Sequence, residues 1–157
     1  MPLKGVPAIL PPQLLAVLAA MGHGDELLIA DANFPSSSQG VGTVLHLPGS
    51  SATDLLDAIL TLFPLDSFDA HQASVMQQVH SSEDAPIVSE FQRILDQSYA
   101  GSDGAQRPAA VARLERFAFY ERAKTVYAIV ATGETRLYGN VMIKKGVIDG
   151  AGRTVVV

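Results

Sequence analysis

Apolar residues recur along the chain in two spacings, one typical of helices and one typical of buried strands. Leu14, Leu18 and Met21 follow Pro11-Pro12 at helical intervals, so a helix is predicted to begin at the prolines and end at Gly22. Short apolar runs predict buried strands instead. The predicted strands cover residues 27–30, 43–47, 73–79, 126–131 and 138–143.

Three further segments carry the helical spacing. Ser51-Ala52-Thr53-Asp54 resembles a capping box with Asp in the position of Glu, so it predicts the start of a second helix. Pro86 begins a third helix, and residues 116–124 predict a fourth. Strands that alternate with helices favour an α/β fold with a largely parallel sheet. Residues 98–108, rich in Gly, Ser, Asp and Gln, predict a loop.

Composition limits the class of protein. A chain of 157 residues with 48% hydrophobic and 17% charged residues is expected to fold as one domain over 1–157. The net charge of −5 argues against binding to nucleic acid. Without cysteine, the chain has no disulfides, thiol nucleophiles or thiolate metal ligands. Prolines interrupt the N-terminal stretch and no apolar run reaches the ~20 residues of a membrane helix. We therefore expect a cytoplasmic protein with no membrane segment.

The first candidate for chemistry is Gly22-His23-Gly24-Asp25, between the first predicted helix and strand. The glycines permit a sharp turn and close approach of a ligand, and the imidazole can exchange a proton near neutral pH. Asp31 follows the predicted strand at its carboxyl end, where open α/β sheets bind ligands. The alternative interpretation is a turn histidine and a capping aspartate.

A second candidate cluster lies in the C-terminal half. Arg116, Tyr120, Tyr138 and Asn140 supply hydroxyl-binding donors and acceptors beside aromatic surface, which suits a sugar. Gly139, within a predicted strand, indicates close backbone approach. In the alternative interpretation the aromatic residues of the 116–122 stretch belong to the core, and for Phe117 and Phe119 we adopt it.

Other chemistries lack a motif. Neither the phosphate-loop pattern nor the dinucleotide-binding glycine pattern is present, so no nucleotide cofactor is predicted. His23, His46, His71 and His80 show no spacing suited to a metal, so no metal site is predicted. We expect His46 in the core or a strand, and His71 and His80 on the surface or at the rim of a site.

At these residues the sequence resembles the ribose pyranase and L-fucose mutarotase family. The segment from Arg116 to Arg122 is typical of the fucose branch, whereas ribose pyranases usually carry histidine near position 116. Asn33 stands where fucose mutarotases often have histidine. The 98–108 region is longer than in the family, and the tail 149–157 lies beyond the family core at about 8–148. The matching segments come in family order: Met21 to Glu26, Ala30 to Pro35, Arg116 to Ala123, Thr132-Gly133-Glu134, Tyr138-Gly139-Asn140 and Lys144 to Val147.

The resemblance implies a three-layer α/β/α fold and an isomerase that interconverts the anomers of a free monosaccharide without cofactor or metal, with L-fucose the expected sugar. It implies His23 as proton donor and Asp31 as a substrate-binding residue. Arg116, Tyr138, Gly139 and Asn140 are then expected to contact the sugar, with Tyr120 nearby. It also implies a homo-oligomer, commonly a decamer, with sites near subunit interfaces. The alternatives are a ribose pyranase, a non-catalytic sugar-binding or transport-accessory protein, and a purely structural oligomer-forming domain.

Overall fold

A computed structural model describes residues 2–39, 41–99 and 104–157 of the chain. Within these ranges the chain folds as one mixed sheet flanked by helices. The strands are β1 (Glu26–Ala30), β2 (Val44–Leu47), β3 (Ala73–Met76), β4 (Val111–Leu114), β5 (Ala128–Thr132) and β6 (Val141–Lys144). The helices are α1 (Pro12–Ala20), α2 (Ala52–Leu60), α3 (Pro86–Ser98) and α4 (Arg116–Ala123), with one 3-10 turn at Ser36–Ser38.

The sheet has the strand order β2-β5-β1-β6-β3-β4. β1 and β2 both run parallel to β5, and β3 runs parallel to β4. β6 lies between β1 and β3 and runs antiparallel to both. The largely parallel mixed sheet is thus confirmed, and the segment before β6 lies at the edge where β1, β3 and β4 end.

Two apolar layers cover the two faces of the sheet. Leu27 and Ile29 face a core shared with α1, α2 and α3, whereas Leu28 and Ala30 face a smaller core shared with α4. This alternation follows from the two-residue period of a strand. The expected three-layer α/β/α arrangement is therefore confirmed.

The predicted helix starts are also confirmed. Pro12 and Pro86 occupy first helical positions, and the Ser51 hydroxyl accepts the Asp54 N–H at 3.1 Å. The end of α1 differs slightly from its prediction, because Met21 is already extended. The left-handed residue of the following loop is Gly24, with φ 84°.

Three strand predictions need correction. The last strand begins at Val141, so Tyr138-Gly139-Asn140 precede it, and Tyr138 has φ 61°, which no strand accommodates. The strand predicted over 73–79 ends at Met76. β4 was not predicted, because its four residues follow a Pro-Ala-Ala run and include the exposed Arg113. The loop predicted over 98–108 lies partly outside the described residues, at 100–103.

The C-terminal tail folds back on its own chain. Ile148 and Thr154 form a bridge, and the Ser67 hydroxyl donates to the Val155 carbonyl oxygen at 3.0 Å. Val156 packs against the larger core. None of the described helices is long and apolar enough to cross a membrane. Among the same residues, no group of three or more His, Asp or Glu side chains could hold a metal ion.

Candidate functional site

The antiparallel β6 brings distant parts of the sequence to one edge of the sheet. Asp31 directly follows β1, and Asn140 directly precedes β6, so the two residues meet although they lie 109 positions apart. Arg116 begins α4 just beyond the end of β4. β4 is parallel to β3, which is antiparallel to β6, so Arg116 reaches the same edge.

The Asp31 carboxylate is buried in this cluster, with 5% of the residue exposed. Its Oδ1 accepts the Asn33 N–H at 3.0 Å, and its Oδ2 accepts the Gly139 N–H at 3.1 Å and the Asn140 amide at 3.0 Å. The Phe34 N–H also acts on the carboxylate, so donors surround an acceptor that offers about four positions. Burial raises the pKa of Asp31 above its usual value, against the lowering effect of these hydrogen bonds.

A cavity of about 240 Å³ opens beside Asp31. Its lining combines polar groups on Asp31, Arg116, Tyr138 and Asn140 with apolar groups that include Met76. The full lining is Asp31, Asn33, Phe34, Met76, Val79, Arg116, Tyr120, Leu137, Tyr138 and Asn140. The structure thus brings together Asp31, Arg116, Tyr120, Tyr138 and Asn140, with Gly139 bonded to Asp31 behind them.

Two donors in this cavity retain free capacity. The Tyr138 hydroxyl oxygen accepts the Val79 N–H at 3.2 Å, so its own proton is available for donation. Arg116 Nε is buried and has no hydrogen-bond partner among the described residues. A buried N–H without a partner is costly, and a ligand oxygen would satisfy it. The Arg116 guanidinium also lies 4.7 Å from the centre of the Phe117 ring.

The aromatic residues of α4 divide between the core and the surface. Phe119 is fully buried, as expected. The expectation for Phe117 is wrong, because its ring is 63% exposed and lies under Arg116. Tyr120 is half-buried, and its ring packs 5.5 Å from that of Phe34.

His23 is not part of this cavity in the same chain. It precedes β1, whereas Asp31 follows it, and the five residues of β1 alone span about 16 Å at ~3.3 Å per residue. The imidazole is held by Asp66, whose Oδ1 lies 3.0 Å from His23 Nε2. The carboxylate can only accept, so Nε2–H donates and Nδ1 is the nitrogen left for a ligand. The His23 side chain is 47% exposed, and that of Asp66 only 4%.

Sequence reasoning did not find Asp66. It lies 43 positions from His23, in a loop without a recognisable motif. The pairing depends on the end of β6, where the backbone of residues 65–66 passes so close to Gly146 that an added Cβ would lie 2.4 Å from the Leu65 carbonyl oxygen. Asp66 Oδ1 also accepts the Phe68 N–H at 3.1 Å, and the Phe68 ring meets the His23 ring edge-on at 5.1 Å.

The remaining histidines lie on the surface. His46 is exposed on β2, so the strand prediction is right and the core alternative is wrong. It lines a second cleft of about 440 Å³ that also includes Asp31, and this cleft is more apolar and lacks Arg116, Tyr138 and Asn140. His71 is exposed, and His80 is exposed beside Arg116 in a neighbouring cleft. The smaller cavity therefore has the donors and acceptors suited to a hydroxyl-rich ligand.

The chain is similar throughout to proteins of known kind. Residues 4–148 match the model of the RbsD / FucU transport protein family. The fucose mutarotase of Danio rerio is 54% identical over 93% of this chain and 94% of its own length, and that of Homo sapiens is 47% identical over the same shares. The fucose mutarotase of Streptococcus pneumoniae, solved in complex with L-fucose, is 39% identical with a TM-score of 0.83, over 94% of this chain and all of that one.

Proposed function

This chain belongs to the RbsD / FucU family, and on that premise we propose that it is a fucose mutarotase, an isomerase that interconverts the anomers of free L-fucose. The relatives named fucose mutarotase support this reaction, because the identity to them extends over nearly the whole chain. The structurally similar protein that was solved with L-fucose supports a monosaccharide as the ligand.

The observation that carries the proposal is the cavity beside Asp31. It combines a buried carboxylate with free donors on Arg116 and Tyr138. Its volume of about 240 Å³ is at the small end of ligand sites, as a single sugar ring requires. Met76 and the Tyr120 ring offer apolar surface to the C–H faces of such a ring.

Mutarotation requires one proton delivered to the ring oxygen and one removed from the anomeric hydroxyl. In the proposed reaction His23 Nδ1–H is the donor, and Asp66 holds the imidazole through Nε2. Asp31 holds the sugar and accepts the anomeric proton, since burial makes its carboxylate a stronger base than an exposed one. The C1–O bond to the ring oxygen breaks, the aldehyde rotates, and closure gives the other anomer. The proton transfers are reversed on closure, so the enzyme is regenerated.

The separation of His23 from Asp31 along β1 requires a second subunit in this mechanism. We propose that the His23 loop of one subunit faces the Asp31 cavity of its neighbour. Such an interface would cover two exposed surfaces. One is formed by the His23 and Phe68 side chains, and the other by Val79 and Leu137 at the cavity rim. A closed homo-oligomer, for which we propose a decamer, would repeat this interface at every site.

The direct test is exchange NMR on the α and β anomers of L-fucose with and without the purified protein, repeated with D-ribose and D-galactose. We expect faster exchange of L-fucose anomers than in buffer, and a smaller effect on D-ribose. Saturable binding of fucose without faster exchange would contradict the proposal and favour a binding or transport-accessory role. Faster exchange of D-ribose alone would favour a ribose pyranase. The absence of both sugar binding and anomer exchange would favour a purely structural role.

The proposed function includes a location in the cytoplasm. A free sugar that enters metabolism is consumed in the cytoplasm, which is where the sequence led us to expect the protein. Fractionation of cells that produce the tagged full-length chain tests this, and recovery of the protein with membranes or in the medium would contradict it.

A further inference from the structure

Glu134 is a buried carboxylate behind the sugar cavity. Only 4% of the residue is exposed. Its Oε1 accepts the Arg136 N–H at 3.0 Å and Arg136 Nε at 2.9 Å, and its Oε2 accepts Arg136 Nη2 at 2.9 Å. Oε2 also lies 3.3 Å from the Ala52 nitrogen, a donor at the start of α2. The carboxylate is thus satisfied within the protein and is not a ligand group.

The same residue contacts the backbone that forms the cavity. The Glu134 carbonyl oxygen accepts the Ala32 N–H at 2.8 Å, directly after Asp31. Its side chain packs on Gly139 so closely that a Cβ added there would lie 2.7 Å from Glu134 Cγ and 3.3 Å from Asp31 Cβ. Gly139 in turn donates its N–H to Asp31 Oδ2. Glu134 therefore contacts the chain both at the donor, Gly139, and next to the acceptor, Asp31, of that hydrogen bond.

The backbone at Tyr138 has a conformation that the residue does not favour on its own. Tyr138 has φ 61°, a left-handed conformation that residues with a Cβ avoid. Such conformations persist where the surroundings fix them, and they cluster at functional sites. Arg136, two residues before Tyr138, is fixed by Glu134, by Glu90 of α3 at 2.9 Å and by the Thr53 hydroxyl at 3.1 Å.

We propose that Glu134 is a positioning residue of the sugar site, which holds Gly139 and the strained Tyr138 so that Asp31 and the Tyr138 hydroxyl meet the same sugar. The inference rests on the proposed function and extends it to a residue that does not touch the ligand. It predicts that the ionised carboxylate sets the affinity for sugar, since its hydrogen bonds to Arg136 fix the loop.

The test compares Glu134→Gln with Glu90→Gln. Both substitutions remove a carboxylate from the same guanidinium, but Glu90 is exposed and does not touch Gly139. We expect Glu134→Gln to raise KM for L-fucose about 10-fold and to lower kcat by at most a similar factor, because Asp31 both binds the sugar and accepts its proton while the donor His23 stays in place. Glu90→Gln is expected to keep both constants within about 2-fold.

Three outcomes would overturn the inference: an unchanged KM in Glu134→Gln, an equal rise of KM in both variants, or a loss confined to kcat. A lower melting temperature with unchanged KM would assign Glu134 a purely structural role at the start of α2. If Glu134→Gln does not fold, Arg136→Lys carries the same test, because lysine cannot make the paired hydrogen bonds of the guanidinium. If the wild-type protein exchanges no anomers, the proposed function fails, and the affinity for sugar by calorimetry still tests Glu134.

Discussion

Asp31 and Asn140 hold each other through two hydrogen bonds that run in opposite directions. The Asp31 N–H donates to Asn140 Oδ1 at 2.8 Å, and Asn140 Nδ2 donates to Asp31 Oδ2 at 3.0 Å. Both residues are buried. The amide therefore fixes the end of β1 to the start of β6 and leaves its second N–H for a ligand.

Replacing this amide by a carboxylate tests the arrangement. Asn140→Asp places a second acid against Asp31 Oδ2, where two negative charges cannot be accommodated, so one carboxyl takes up a proton and its pKa rises. We expect a loss of about 2–4 kcal/mol in the free energy of unfolding at pH 7.5. A raised pKa in the folded state costs its full stability above that pKa, and the cost disappears as the pH falls to the pKa of the unfolded chain, so the loss is expected to shrink as the pH falls toward 4.

Urea unfolding at several pH values measures this loss, and calorimetry with L-fucose measures the accompanying loss of affinity. The control is Asn33→Asp, the same change at an exposed residue of the same cavity. Equal stability of the two variants at every pH would contradict the reciprocal pairing of Asp31 with Asn140.

The pair His23 and Asp66 gives a second prediction. Asp66→Asn keeps an oxygen for the Phe68 N–H but removes the charge that holds the imidazole. We expect kcat for anomer exchange to fall about 10- to 100-fold, in the range of a misplaced acid–base group. The readout is the exchange rate at saturating L-fucose. Asp69→Asn is the control, because that exposed carboxylate pairs with Lys144 instead. A fall of kcat that is equal in both variants would show that the imidazole contact is not the cause.

Much of the fold could be predicted from the sequence, because its signals are local. Pro12, Pro86 and the Ser51 cap mark helix starts, and the continuous apolar run before Asp31 marks β1. From the residues alone, Asp31 at a strand end and the polar residues Arg116, Tyr138 and Asn140 were two separate candidates, and the family resemblance joined them into one predicted sugar site.

The features that could not be predicted from the sequence depend on contacts between distant segments. Tyr138 continues an apolar, strand-like pattern, but the Glu134–Arg136 network holds it in the left-handed region. Asp66 meets His23 only because the backbone passes close at Gly146. His23 and Asp31 lie at opposite ends of β1 because the strand runs between them. The family resemblance had assigned both residues to the sugar site, near a subunit interface.

Subunit mixing tests whether His23 acts on the neighbouring cavity. His23→Ala and Asp31→Asn are each expected to exchange anomers at no more than about 1% of the wild-type rate. Co-expression of the two inactive subunits is expected to restore about a quarter of the activity per site, because random assembly pairs a native His23 with a native Asp31 at that fraction of interfaces. The measurement is exchange NMR on the co-purified oligomer. Inactive mixtures, with mixed subunits verified by mass spectrometry, would contradict a site shared between subunits.

The free energy of unfolding at acidic pH tests the contribution of the Glu134 carboxylate. Its hydrogen bonds with Arg136 lower the pKa of Glu134 from 4.5 to about 2, so this group stabilises the fold above pH 4.5 and the contribution disappears as the pH falls toward 2. The shift corresponds to at most about 3.5 kcal/mol, and solvent around the half-exposed guanidinium reduces the expected contribution to about 1–2 kcal/mol. Urea unfolding should therefore show Glu134→Gln less stable than wild type at pH 6, with the two curves converging between pH 4.5 and 2. A difference that stays constant down to pH 2 would mean that the lost stability comes from packing against Gly139 and not from the charge.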